Sequence, residues 1–138
     1  MDGYEIIEHT ADVGISARAR DVGAAFRQTT LGLLDVMGAR CDEDGRGEQV
    51  AVELEAGDLE GLLIDWLNEV IWVQESHGGR ISDVGTAVDE KATRLNATLK
   101  VHDGAPPPDG TAVKAATFHQ IRVAEEGPEV SVRVYLDV

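Results

Sequence analysis

The sequence predicts an α+β fold: one compact domain over residues 1–138, with about seven strands in mostly antiparallel sheet packed with two main helices. Two observations carry this expectation. Period-two alternation of apolar and polar residues recurs along the chain, whereas only two stretches show helical spacing, and a strand separates them. The last five elements all read as strands, an order that a repeating βαβ array does not give.

Val13, Ile15, Ala17 and Ala19 alternate with Gly14, Ser16, Arg18 and Arg20, the pattern of a half-buried strand. Asp21 then caps a helix whose apolar positions are Val22, Ala25, Phe26, Leu33, Leu34 and Met37. Asp42–Gly47 is acidic and glycine-bearing, an exposed loop, and Val50, Val52 and Leu54 alternate again as a second strand. Asp58 opens the stronger helix: Leu59, Leu62, Leu63, Trp66, Leu67, Val70 and Val73 fall three and four apart, and Gly78-Gly79 stops it. Ile81–Val88 and Leu95–Val101 form a hairpin turning near Asp89-Glu90. Pro106, Pro107 and Pro108 in a row cannot continue a ladder, so Asp103–Gly110 is a loop. Three extended runs follow, Thr111–Thr117, Ile121–Ala124 and Val130–Val138, with Gly127-Pro128 turning between the last two.

Composition narrows the function. The hydrophobic fraction is 43% and the charged fraction 28%, as in ordinary globular proteins. No apolar run approaches the roughly 20 residues of a membrane helix. The opening Met1-Asp2-Gly3-Tyr4 lacks signal-peptide character, and the single cysteine, Cys41, suits a reducing compartment, so a cytoplasmic protein with no membrane partner is expected. A net charge of −14, with no basic run and no row of aromatics, argues against strong direct nucleic-acid binding. A cation or a basic protein face is the natural complement; acidity that simply favours solubility explains part of the same excess.

His9-Thr10-Ala11-Asp12-Val13-Gly14 sets an imidazole, a hydroxyl and a carboxylate together where a polar segment enters a strand. Alone, such a string reads first as a turn, and second as metal ligands or proton-transfer partners. At the other end, Val130, Val132, Val134 and Leu136 share one face of the last strand, which places Asp137 on the other, beside the carboxylate of Val138. If Asp12 approaches, three oxygen donors converge, a set suited to calcium, magnesium or manganese. The alternative is a frayed, solvated terminus.

A second constellation is Val113–His119. Alternation puts Lys114 and Ala116 on one face, from which the lysine could reach an acidic cluster or a phosphate. His119 is open to three readings: acid or base, ligand, or, most often for a lone histidine, a satisfied core ring. Asp65 and Glu69, four apart on the polar side of the second helix, read as a solvated surface first and a partner-docking face second. His77 and His102 have no company that suggests a role, and the acidic neighbours of Cys41 disfavour its thiolate. No phosphate-binding glycine loop occurs, and one cysteine cannot make a paired-cysteine zinc pattern.

Taken in order, HTADVG at His9–Gly14, DLEGLLIDWLNE at Asp58–Glu69, VKAATFH at Val113–His119 and LDV at Leu136–Val138 make the chain resemble the archease family over its whole length. The resemblance implies a small accessory protein of RtcB-type RNA-splicing ligases. It would promote the ligase's GTP-dependent guanylylation and multiple turnover in tRNA splicing and RNA repair without being an enzyme itself. It also implies a divalent-metal site at Asp12, Asp137 and Val138, an important lysine at Lys114, and no tightly bound nucleotide. A monomer is expected. Phe118 departs from the family's usual tyrosine, Ala105 follows Gly104 where glutamate is common, and the proline run is unusual; none of these touches the metal set. Two other function classes fit the residues less well. One is a free-standing metal-dependent phosphohydrolase with His9 or His119 as base; the other is a metal-independent, chaperone-like adaptor.

Overall fold

A computed structural model describes residues 2–8, 12–42 and 47–138. Its elements are β1 (Gly3–Glu8), β2 (Asp12–Ala19), α1 (Val22–Met37), β3 (Glu48–Glu55), α2 (Leu59–His77), β4 (Arg80–Asp89), β5 (Arg94–His102), β6 (Ala115–Glu126) and β7 (Glu129–Asp137). The strands form two antiparallel sheets, one in the order β1-β2-β7-β6 and one in the order β3-β5-β4. This is the expected α+β domain. Among the described residues, no helix is long and apolar enough to cross a membrane.

Each helix touches both sheets: α1 lies against β1, β2 and β7 on one side and β4 on the other, and α2 against β6 and against β5 and β3. The helix pair is therefore the layer that joins the sheets, which is why both helices bury more than a narrow stripe. Both begin where their sequences say. The Asp21 carboxylate accepts from the Ala24 N–H and the Asp58 carboxylate from the Gly61 N–H, each at 2.7 Å, taking up donors that a helix start leaves unpaired. Both end on a left-handed glycine, Gly38 and Gly78. Between them Trp66 is fully buried, and its indole N–H donates to Thr30 Oγ1 at 2.8 Å; the Thr30 hydroxyl in turn donates to the Phe26 carbonyl at 2.7 Å.

Seven strands are present among the described residues, but the membership differs from the sequence expectation. β1 was not anticipated, because Ile6 and Ile7 stand side by side and Ile6 is 44% exposed; pairing with β2, not alternation, makes this segment a strand. The runs at 111–117 and 121–124 are one strand, β6, broken in register between Thr117 and Arg122, with Gln120 at a φ of 53°. β6 starts only at Ala115. Before it, the chain closes the end of α1: Gly110 N–H donates to the Met37 carbonyl and Thr111 N–H to that of Val36. The proline loop ahead of this is held by Arg80, whose guanidinium donates to the carbonyls of Pro106, Pro107 and Arg40.

Candidate functional site

β7 is an inner strand of the larger sheet, with β2 on one side and β6 on the other. Its antiparallel register puts Asp137 directly opposite Asp12, Leu136 opposite Val13 and Tyr135 opposite Gly14. Directly opposed residues of an antiparallel pair share a face of the sheet, so the Asp12 and Asp137 side chains leave on the same side. That side is the outer one: Ile15, Ala17, Val132, Val134 and Leu136 take the core-facing positions and are fully buried, whereas Asp137 is exposed.

On its other flank Asp137 meets the start of β6. Ala115 is its register partner, and the Lys114 N–H donates to the Asp137 carbonyl at 2.8 Å. Three neighbouring segments thus line up Asp12, Asp137 and Lys114 across one end of the sheet. Val138 is partly buried and packs against the core. Among the described residues, Asp12 and Asp137 offer oxygen donors here. Like charges directly opposite each other are unfavourable, and with a cation between them two carboxylates could hold a hard divalent ion.

The outer face has a floor under this row. Gly14 is buried because the Tyr135 ring lies across it; a Cβ at Gly14 would stand 2.8 Å from Tyr135 Cε1 and 3.1 Å from Ile7 Cβ. The His119 ring tilts against Tyr135, with centroids 6.1 Å apart. His119 is exposed, which removes the core-ring alternative and leaves the acid–base and ligand readings open. Lys114 and Ala116 do not share a face: Lys114 precedes the strand and is exposed, while Val113 and Ala116 are both buried. Phe118, in the irregular part of β6, is 60% exposed. His9 lies outside the described residues.

Helix α2 is fastened to this end of the sheet by Asn68, whose side-chain oxygen accepts from the Ala116 N–H at 2.8 Å. On either side of it along the helix, Asp65 is exposed and Glu69 half-buried. The sequence reading missed two parts of this arrangement. Asn68 inside an apolar helix carried a weak signal, since a mid-helix amide needs a partner. The Gly14–Tyr135 contact left none, because nothing local to either residue reports it.

A sequence model of the Archease protein family matches residues 4–138. "Protein archease" of Methanothermobacter thermautotrophicus is 29% identical over 143 residues, with 100% of both chains covered. "Protein archease" of Thermococcus gammatolerans is 34% identical over 127 residues, with 89% of each chain covered. The solution structure of protein 1598 from Methanobacterium thermoautotrophicum superposes with a TM-score of 0.79 at 26% identity, covering 99% of both chains. A crystal structure from Thermotoga maritima, described as an archease and possible chaperone, shares the fold, with a TM-score of 0.58 at 18% identity over 97% of this chain and 96% of that one.

Proposed function

The chain belongs to the archease family, and from that premise we propose that it is a non-catalytic activator of an RtcB-type RNA-splicing ligase, promoting the ligase's GTP-dependent guanylylation and multiple turnover in tRNA splicing and RNA repair. The observation that carries the reading is the register that sets Asp12 opposite Asp137 with Lys114 alongside. Asp12, Asp137 and the Val138 carboxylate would hold a hard divalent cation, calcium, manganese or magnesium. Bound there, such an ion supplies positive charge that neutralises phosphate oxygens.

The chain's own residues supply the rest. Lys114 is exposed at the same end and offers a flexible point charge to phosphate or to the carboxylates. Exposed Phe118 gives an apolar anchor where the family's usual hydroxyl is absent. The net charge of −14 draws a basic partner face and repels free RNA, which fits a cytoplasmic protein that acts on the ligase and not on its substrate.

The test is a GMP-transfer assay with the candidate ligase under multiple-turnover conditions. Wild-type protein stimulates, while folded Asp12→Ala and Asp137→Ala variants do not. A short extension after Val138 impairs stimulation, and the same tag on Met1 leaves it intact. Full stimulation by the two folded aspartate variants would overturn the proposal.

A further inference from the structure

At the C-terminal end of α2 a second set of donors converges, built from three different elements. His77 is the last residue of α2, Glu48 the first of β3, and Asp103 follows β5. His77 Nδ1 lies 2.9 Å from Asp103 Oδ1 and 3.6 Å from Glu48 Oε2, and the three donor atoms all lie within 4.8 Å of one another. We propose that Glu48, His77 and Asp103 form a divalent-metal site of the borderline, zinc-like class, separate from the Asp12–Asp137 end of the molecule.

Two carboxylates aim at one ring nitrogen, and that nitrogen carries at most one proton, so a neutral imidazole satisfies only one of them. A cation common to all three satisfies both. Metal–ligand bonds of about 2.1 Å in tetrahedral geometry put neighbouring donors about 3.4 Å apart, and the two observed separations bracket that value. An imidazole nitrogen in the set favours zinc, cobalt or nickel over calcium and magnesium, which prefer oxygen alone. The last turn of α2 adds the negative end of the helix dipole.

The scaffold is rigid where it must be. Gly79 packs so closely on the His102 carbonyl that a Cβ would stand 2.1 Å from it, which holds the end of α2 against the segment leading to Asp103. Among the described residues, the Lys100 and His102 side chains lie against Gly47, next to Glu48 in the chain. Glu48 and Asp103 are more than half exposed, leaving the outer coordination positions to water.

The test is a cobalt(II) titration of the full chain followed by visible absorption, with zinc binding by calorimetry. Wild-type protein takes up one equivalent with tetrahedral cobalt bands. His77→Ala and Asp103→Asn each weaken that equivalent by about tenfold or more, while Asp137→Asn leaves it unchanged. Asp103→Asn keeps the side-chain shape, and circular dichroism verifies that both variants are folded. Unchanged cobalt binding in the two variants would overturn the proposal. So would the absence of binding up to about 1 mM metal, or loss of the equivalent in Asp137→Asn alone.

Discussion

Gly14→Ala is the sharpest test of how the Asp12–Asp137 end is built. The added Cβ would meet Tyr135 Cε1 at 2.8 Å and Cδ1 at 3.1 Å, against about 3.5–4.0 Å for a comfortable carbon contact. The ring must therefore move by roughly 0.7–1.2 Å. It cannot do so freely, since His119 tilts against it and it is 7% exposed. Nor can the new methyl lean away, because Ile7 Cβ stands 3.1 Å off on β1. Overpacking of this kind costs about 1–3 kcal/mol. For a domain of 138 residues that lowers the melting temperature by about 3–12 °C. Urea unfolding of Gly14→Ala, Tyr135→Ala and the double variant supplies the cycle. With the ring gone, the Gly14→Ala cost should fall by about 1 kcal/mol, the remainder belonging to Ile7. A cost unchanged in the Tyr135→Ala background, or a Gly14→Ala variant within about 0.5 kcal/mol of wild type, would refute the account of why this position is glycine.

Two further perturbations test other parts of the structure. Thr30→Val keeps the shape of the side chain but leaves the Trp66 indole N–H buried without its acceptor, so it should cost about 1–3 kcal/mol in urea unfolding. Thr30→Ser keeps the hydroxyl and should lose clearly less; equal losses would mean that the indole bond contributes nothing. Asp137→Asn should reverse its effect with calcium. In chelator it removes a like-charged cross-strand pair and stabilises by about 0.2–1 kcal/mol. In calcium at about 100 times the dissociation constant, wild type gains about 2.7 kcal/mol that the variant lacks. Melting curves in the two buffers decide, and a wild-type curve indifferent to calcium contradicts the proposed site.

The helices were legible in the sequence because their information is local. Asp21 and Asp58, the apolar spacing after each, and Gly38 and Gly78 all act within a turn or two of where they stand. β1 was not legible, because Gly3–Glu8 becomes a strand only by lying along β2. Residues 111–117 misled for the opposite reason: they alternate, but the end of α1 claims the backbone of Gly110 and Thr111 before β6 begins. The string ending in Gly14 and the closing Asp137-Val138 were visible as candidates. That Asp12 and Asp137 stand opposite each other is a property of register, and register between distant strands leaves no local trace. His77 shows the same limit. It had no neighbours of note along the chain, and it gains Glu48 and Asp103 only when β3, α2 and β5 come together.

The pairing of β2 with β7 also has a kinetic meaning. The hairpins β4–β5 and β6–β7 close over short lengths of chain, whereas β2 and β7 join segments separated by nearly the whole sequence. Such a closure carries more loop entropy than the hairpins do and belongs after them in folding. Asp12 and Asp137 therefore come face to face only in molecules that have completed the four-stranded sheet. A chain in which β2 and β7 have not paired has no opposed carboxylates to offer. A partner that recognises this end of the molecule reads, in the same contact, that the rest of the chain has folded.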